Sequence, residues 1–299
     1  MIDIVNLTKK FGQKTVLQNL DCKIADGCIY GLVGANGAGK STFLRLLSGV
    51  YYAQQGSIEI DGKEVYDNPD IKKDIMFLSD DLYFPNGAQL KDVVEIYKSF
   101  YPAFDSDYFY SHTDKLKLGR NDKISTFSKG MKRQTSIIAA LSCGTKYLFF
   151  DETFDGLDPV VRNYIKKLIY DKVIEKNATV ILTSHNLREL EDICDHLGVL
   201  YQGGILFEGD TNTLKTNVFK VQLSLGKDFT QEDLHPLNIL SFKKIGSVAT
   251  VIVKGDLAEA EKIIAEKSPV IADFLPLTLE EVFIYEMEVL GYVFEDLAI

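Results

Sequence analysis

The sequence predicts an α/β fold with a main sheet of buried strands and a smaller second domain. Two observations carry this prediction. Short apolar runs such as Ile29–Val33 and Tyr147–Phe150, typical of strands buried on both faces, are followed by stretches that favour helices. The glycine-rich loop after the first of these runs leads directly into a helix. With 299 residues, the chain is long enough for one large domain and one small one.

An antiparallel β layer is expected near the start of the chain. Residues 2–7 and 15–24 alternate between apolar and polar side chains, the pattern of strands with one buried face. Residues 57–66 predict a hairpin with an Asp-Gly turn. A further short buried strand is predicted at residues 74–80, and it ends in acidic side chains.

Residues 34–42 form the glycine-rich loop and fit the pattern G-x-x-x-x-G-K-[ST], which binds nucleotide phosphates. The glycines let backbone N–H groups converge on phosphate oxygens, and the helix that follows adds the positive end of its dipole. Lys40 would reach the β- and γ-phosphates, and the Ser41 hydroxyl would bind Mg²⁺. The predicted binding residues of this phosphate loop are Gly34, Asn36, Gly37, Ala38, Gly39, Lys40, Ser41 and Thr42. The flanking strand and helix disfavour the alternative, a glycine-rich turn without a ligand.

A helical insert is predicted over residues 88–142. Apolar side chains recur there at spacings of three and four, beginning with Leu90, Val93 and Val94. The last helix of the insert follows Ser128, a residue type that suits a helix N-cap. By spacing alone, residues 127–131 indicate no more than this cap with a local glycine.

Acidic residues follow the next buried strand. In proteins with a phosphate-binding loop an acid at this point holds Mg²⁺, so Asp151 is a candidate ligand. Glu152 is then placed to accept a proton from an attacking water. His185 follows another buried strand, residues 179–183, and could point at the γ-phosphate. Each residue alone has an ordinary structural explanation, a solvated acidic pair or a structural histidine. Their combination with the phosphate loop favours a reaction at phosphate.

The large domain is expected to continue with alternating strands and helices. Asp158 is predicted to cap a helix that begins at Pro159 and ends near residue 176. A helix is then expected over residues 187–196 and a hairpin over residues 198–208.

A shift to a more acidic composition predicts a domain boundary near residue 210. The large domain would span residues 1–210, and residues 211–299 would form a small α+β domain for dimerisation or another accessory role. This second domain carries no recognisable chemical motif. Its pattern predicts strands at residues 218–225 and 248–253 and helices at residues 257–267 and 278–287.

Composition limits the classes of function. A net charge of −10 disfavours non-specific binding to nucleic acid, which needs a basic face. No apolar run approaches the ~20 residues that span a bilayer, and the first residues lack the basic and apolar regions of a signal peptide. The four cysteines form no C-x-x-C pair, so reduced, buried thiols in a cytosolic chain are expected.

In chain order, these motifs resemble those of the ATP-binding subunits of ABC (ATP-binding cassette) transporters. The resemblance covers residues 1–210. It is carried by the phosphate loop, the signature-like residues 127–131, the strand ending at Asp151 with Glu152, the D-loop-like residues 154–158 and His185. Residues 276–283 are similar to the ends of bacterial exporter subunits for drugs, peptides or antimicrobial-peptide resistance.

The resemblance implies a P-loop NTPase core of the RecA-like type with an antiparallel β subdomain and an α-helical subdomain. It implies an ATPase that uses ATP and Mg²⁺ and drives a separate integral membrane permease from the cytoplasmic face of the cell membrane. Two cassette chains, identical or different, would pair head to tail. Nucleic acid is not expected as a partner.

Residue roles follow from the same resemblance. Lys40, Glu152 and His185 would be catalytic. Phe11 would stack on adenine, although a core aromatic is the alternative explanation for it. The nucleotide held by the partner chain would be touched by Ser128 and Gly130, and Asp158 would help to couple the two sites.

Three motifs depart from the family pattern. Lys129 and Met131 stand where the signature usually has Gly and Gln, and Asp155 stands where the D-loop usually has Ser. Asp80 lies at the Q-loop position, where Gln is usual, and its carboxylate could still meet Mg²⁺ or water. An active ATPase is expected because the catalytic positions are kept.

Two other functions stay open at this point. A soluble ABC ATPase acting on nucleic acid or ribosomes is disfavoured by the single cassette and the acidic balance. A small-molecule or nucleotide kinase would use the same phosphate loop, but it gives no reason for the remaining motifs.

Overall fold

A computed structural model describes residues 1–211, 213, 218–226 and 228–289, with side chains up to residue 285 in the last helix. The chain divides into two compact units, Met1–Glu208 and Gly209–Ile299. Within the described residues, no helix combines the length and the apolar character needed to cross a bilayer.

The first unit contains the predicted antiparallel layer. Its strands are β1 (Ile2–Phe11), β2 (Lys14–Ile24), β4 (Gln55–Ile60) and β5 (Lys63–Glu64), in the order β2-β1-β4-β5. All three neighbouring pairs are antiparallel. One face of the layer is buried, as the alternation predicts, through side chains such as Ile2, Ile4 and Ile60.

The main sheet brings the candidate site residues to one edge. Its strands are β3 (Ile29–Val33), β6 (Ile75–Leu78), β7 (Tyr147–Phe150), β8 (Thr179–Ser184), β9 (His196–Tyr201) and β10 (Gly204–Asp210), in the order β10-β9-β3-β8-β7-β6. The pairs from β9 to β6 are parallel, with Val33 opposite Ser184 and Phe150 opposite Leu182. Because parallel strands end at the same edge, the loops after β3, β7 and β8 meet there.

Helices cover this sheet and form the helical insert. They are α1 (Lys40–Leu47), α2 (Pro69–Lys72), α3 (Leu90–Phe100), α4 (Ser106–Lys115), α5 (Lys129–Ser142), α6 (Pro159–Lys176) and α7 (Leu187–Glu191). The insert consists of α3, α4 and α5. Asp158 caps α6 as predicted, since its carboxylate accepts the N–H groups of Val160 and Val161.

The helix expected over residues 187–196 is wrong in its second half. It ends at Glu191, and His196 already opens β9 opposite Tyr30. Asp195 explains the early end, because its backbone N–H donates to the carbonyl of Ile29 and its carboxylate accepts the Ile29 N–H. These bonds to β3 hold the chain in the sheet rather than in a helix.

The described part of the second unit contains an antiparallel sheet and two helices of ten residues or more. Its strands are β11 (Val218–Ser224), β12 (Ile239–Ile245), β13 (Val248–Lys254) and β14 (Ile271–Pro276), in the order β12-β13-β11-β14. The helices are α8 (Leu257–Glu266) and α9 (Leu279–Val289). The sequence pattern missed β12 and β14. Both are edge strands without a fully buried residue, so neither shows a clear apolar alternation.

A charge cluster ties the two sheets of the first unit together at the end opposite the loops. Lys146 Nζ lies 3.1 Å from Asp26 and 2.8 Å from Asp61. The Tyr147 hydroxyl donates to the same two carboxylates, and the amino group of Met1 joins them. Burial alone would raise the pKa of Asp61. The bonds from Lys146, Met1 and Tyr147 outweigh burial and hold that pKa well below its usual value.

This cluster predicts a pH-dependent contribution to stability. Asp61→Asn should lower the free energy of unfolding at pH 7 by about 1 kcal/mol, because an exposed ion-pair network is partly screened by water. A depressed carboxyl pKa stabilises the fold fully above the unfolded-state pKa of about 4. This contribution is lost as pH falls from there through the lower folded-state pKa, so a part of it is lost at pH 3. Urea unfolding at pH 7 and pH 3 measures the difference. Asp70→Asn, which breaks an exposed pair with Lys73, is the control. Equal losses for Asp61→Asn at both pH values would contradict the assignment.

Candidate active site

The phosphate loop connects β3 to α1 in a conformation that needs glycine. Gly37 and Gly39 have φ of +85° and +114°, in the range that L side chains rarely adopt. A Cβ on Gly39 would also lie 2.8 Å from Leu17 Cδ2. The loop therefore keeps its shape only with these residue types.

Lys40 stands at the start of α1 with its charge turned back into the loop. The side chain is 5% exposed. Its ammonium donates to the carbonyls of Gly34 at 2.6 Å and Ala35 at 3.3 Å. It also lies 3.2 Å from the Glu152 carboxylate. A buried cation is thus held at the mouth of the loop.

A cavity of about 250 Å³ opens above the loop. We call it the phosphate cavity. It brings together most of the predicted loop residues with two predicted acids from other segments. Its lining consists of Val16, Asn36, Gly37, Gly39, Lys40, Ser41, Thr42, Asp80 and Glu152. Ala38 contributes a backbone turn instead, since its N–H donates to the Ala35 carbonyl at 3.1 Å.

Asp151 directly follows β7, and only one oxygen of its buried carboxylate has a hydrogen-bond partner. It is 1% exposed, and its Oδ1 accepts a hydrogen bond of 2.8 Å from the Thr183 hydroxyl. Oδ2 is buried and has no hydrogen-bond partner. A bare buried carboxylate oxygen is costly, and a hydrated cation would satisfy it. Oxygen ligands such as this carboxylate and the Ser41 hydroxyl are of the kind that Mg²⁺ prefers.

Glu152 joins the phosphate loop to His185. Its carboxylate oxygens lie 3.2 Å from Lys40 Nζ and 2.9 Å from His185 Nδ1. Because an ionised carboxylate only accepts hydrogen bonds, Nδ1 carries the proton of this pair. The backbone of Glu152 is left-handed, with φ of +46°, and its N–H donates to the Thr183 hydroxyl at 3.0 Å. Strained backbone of this kind clusters at functional sites.

The signature-like turn packs on the D-loop-like segment. Ser128 caps α5 by accepting the Met131 N–H at 3.2 Å. A Cβ on Gly130 would come within 2.7 Å of the Gly156 carbonyl, so only glycine allows this approach. Lys129 forms an ion pair with Asp155. Their hydrogen bond raises the pKa of Lys129 and lowers that of Asp155.

Six predicted nucleotide-binding residues lie outside the lining of the phosphate cavity: Phe11, Gly34, Ala38, Ser128, Gly130 and Asp158. Phe11 is 44% exposed, which disfavours its explanation as a core aromatic. Its ring meets Tyr51 edge-on at 5.4 Å, and Lys9 Nζ lies 5.1 Å from the ring centroid.

Sequence reasoning missed two residues that support the site. Thr183 binds both Asp151 and Glu152, as described above. Arg133 is buried on α5 and contacts Asp80 and the Asp151 carbonyl. The signal for Thr183 was its place at the end of a buried strand beside His185. Arg133 gave a weaker signal, a basic residue four positions before Ile137 on the apolar face of a helix.

Comparison with known proteins identifies the family. The ABC transporter family profile matches residues 17–155. Over 95% of its length the chain is 30% identical to the ABC transporter ATP-binding protein YtrB of Bacillus subtilis (strain 168), of which the match covers 97%. The chain belongs to the ABC transporter ATP-binding proteins.

Two further matches agree with this family assignment. The lantibiotic transport ATP-binding protein SrtF of Streptococcus pyogenes is 31% identical over 70% of this chain and 90% of its own. A solved dimeric ATP-binding cassette bound to ADP and phosphate matches with a TM-score of 0.62 at 22% identity, covering 71% of this chain and 99% of that one. The fold class predicted for this ABC ATP-binding protein is confirmed, and the protein is an ATPase.

Proposed function

We propose that this protein hydrolyses ATP to drive a separate membrane-spanning permease, as one of two paired cassettes at the cytoplasmic face of a bacterial membrane. The observation that carries the proposal is the Glu152 carboxylate, which bridges Lys40 and His185 at the wall of the phosphate cavity. Together, these three side chains place a base, a buried cation and a polar ring at one site.

Each residue has a role in this proposal. Lys40 leaves its loop carbonyls to pair with the β- and γ-phosphate oxygens. Glu152 accepts a proton from the attacking water. His185 would steady the γ-phosphate by donating from its other ring nitrogen, which requires the imidazolium form because Nδ1 already donates to Glu152. Ser41 and Asp151 would hold Mg²⁺, with Asp80 as a further candidate. When bound, Mg²⁺ neutralises charge on the phosphate oxygens.

A paired arrangement gives roles to the predicted residues outside the cavity. Phe11 would stack on adenine beside its own loop. Ser128 and Gly130 would contact the nucleotide of the second chain, and Asp158 would help to couple the sites. The dimeric form of the matched cassette structure supports pairing.

The exporter assignment is supported by SrtF, whose name states lantibiotic transport. The surface offered to a permease is a cavity of about 200 Å³ between the loop after β6 and α3. It is lined by apolar side chains that include Leu82, Phe84 and Ile96, and Tyr83 at its rim is 86% exposed. Such an apolar cavity suits a helix from a membrane partner.

Co-purification tests the proposal. Full-length tagged protein, recovered with detergent from membranes of its natural host, should bring down an integral membrane protein. Tyr83→Ala should reduce that recovery, whereas Tyr66→Ala, at another exposed tyrosine, should not. Recovery of ribosomes or nucleic acid alone would favour a soluble ABC ATPase instead.

A chain ending at residue 210 belongs in the same experiment. If it kept full assembly and ATPase rate, the accessory role proposed for residues 211–299 would be discarded.

A further inference from the structure

Arg133 is a buried cation next to the phosphate cavity, two residues after the signature-like residues 127–131. It lies in the second turn of α5 and is 1% exposed. One terminal nitrogen, Nη2, pairs with the Asp80 carboxylate and lies 3.4 Å from the Asp80 carbonyl. The other, Nη1, donates to the Asp151 carbonyl at 3.3 Å. A single guanidinium therefore connects α5, the loop after β6 and the end of β7.

The charge balance makes this connection specific. A buried guanidinium costs several kcal/mol unless it is paired and hydrogen-bonded. Its carboxylate partner, Asp80, is half-exposed and lines the phosphate cavity. The buried charge on α5 is thus balanced by a carboxylate on the wall of the cavity where phosphate would bind. The family's usual glutamine at this position could not balance it, because glutamine is neutral.

The same helix carries the signature-like turn at its start. Ser128 caps α5 one and a half turns before Arg133, and Gly130 lies between them. A shift of α5 therefore acts on Asp80 and on the backbone of Asp151 through one side chain. Arginine suits this task because its planar fork holds two acceptors at once.

We propose that Arg133 is a positioning residue for ATP hydrolysis that acts through Asp80. It holds the Asp80 carboxylate at the cavity wall and the Asp151 carbonyl in place, and so aligns the helical insert with the phosphate cavity. This inference rests on the proposed ATPase function of the cavity. Asp80, which stands where the family usually has Gln, thereby has a definite partner within the same chain.

A double-mutant cycle on the full-length protein tests it. Arg133→Met should lower kcat about tenfold or more, since small displacements of reacting groups have effects of this size, and should change the KM for Mg-ATP less than threefold. In an Asp80→Ala background, the same change should lower kcat less than threefold, because Arg133 has already lost the carboxylate through which it acts and keeps only its bond to the Asp151 carbonyl. Arg133→Lys should recover part of the rate by pairing with Asp80 alone.

Controls separate positioning from folding. Arg120→Met breaks an exposed arginine–carboxylate pair with Asp114 in the same helical insert and should keep kcat within twofold. If Arg133→Met does not fold, Arg133→Lys takes its place in the cycle and Asp80→Asn takes the place of Asp80→Ala. The criterion for coupling stays the same. Equal losses of kcat in both backgrounds, or a lower melting temperature with unchanged kcat, would overturn the inference. A wild-type protein without ATPase activity would instead overturn the proposed function.

Discussion

Replacing Lys40 by alanine is expected to lower the rate of ATP hydrolysis by about 10²–10³-fold, the usual loss when a preorganised charge-stabilising donor is removed. The Lys40 ammonium is almost fully buried and lies at the phosphate cavity. There it faces the negative charge that spreads over the γ-phosphate oxygens during transfer. Alanine removes this charge and also leaves Glu152 without its cation, so the carboxylate would repel the incoming phosphate. Phosphate release measures the rate of hydrolysis, and nucleotide titration measures how far nucleotide binding is weakened.

The matched control is Lys23→Ala. Lys23 is an exposed lysine on the antiparallel layer and pairs with Asp3 at 3.5 Å. Surface pairs of this kind contribute little to stability, so its ATPase rate should stay within twofold of the wild type. An Lys40→Ala protein with near-normal turnover would remove the basis for the site.

The sequence could indicate which residues meet at the phosphate cavity because many of them are close together in the chain. The phosphate loop depends on glycines and a lysine within nine residues, and their order determines how the backbone can turn. Asp151 and His185 were predicted from their places after buried strands. Since parallel strands end at one edge, a correct strand prediction already brings such residues together.

The charge pairs could not be predicted in this way. Asp80 and Arg133 are 53 residues apart, and Lys129 and Asp155 are 26 apart. Nothing in their spacing says that two departures from the family pattern meet in one ion pair. In the structure Lys129 and Asp155 compensate each other, and Asp80 has a buried cation as its partner. Tertiary packing, rather than local pattern, determines these contacts.

Glu152→Gln is expected to stop turnover while nucleotide binding is kept. The amide has the shape of the carboxylate, so its oxygen can still accept from Lys40, and the left-handed backbone of residue 152 is undisturbed. An amide cannot take a proton from water, and loss of a general base lowers rates by about 10²–10⁴-fold. Neutralising this residue also frees the Lys40 charge for the phosphates. ATP should therefore bind at least as tightly as in the wild type.

Trapped ATP should also hold two cassettes together, because a ligand that favours the closed pair shifts the population toward it until it is hydrolysed. Light scattering with size exclusion under saturating Mg-ATP should give a dimer for Glu152→Gln and a smaller dimer fraction for the wild type. Glu64→Gln, an exposed acid on the antiparallel layer, should behave like the wild type. Pairing is expected to depend on Mg²⁺, because the ion would organise the bound triphosphate. EDTA should therefore return the variant to monomers. A variant that stays monomeric with bound ATP would contradict pairing through nucleotide, and one that still turns over would show that another group serves as the base.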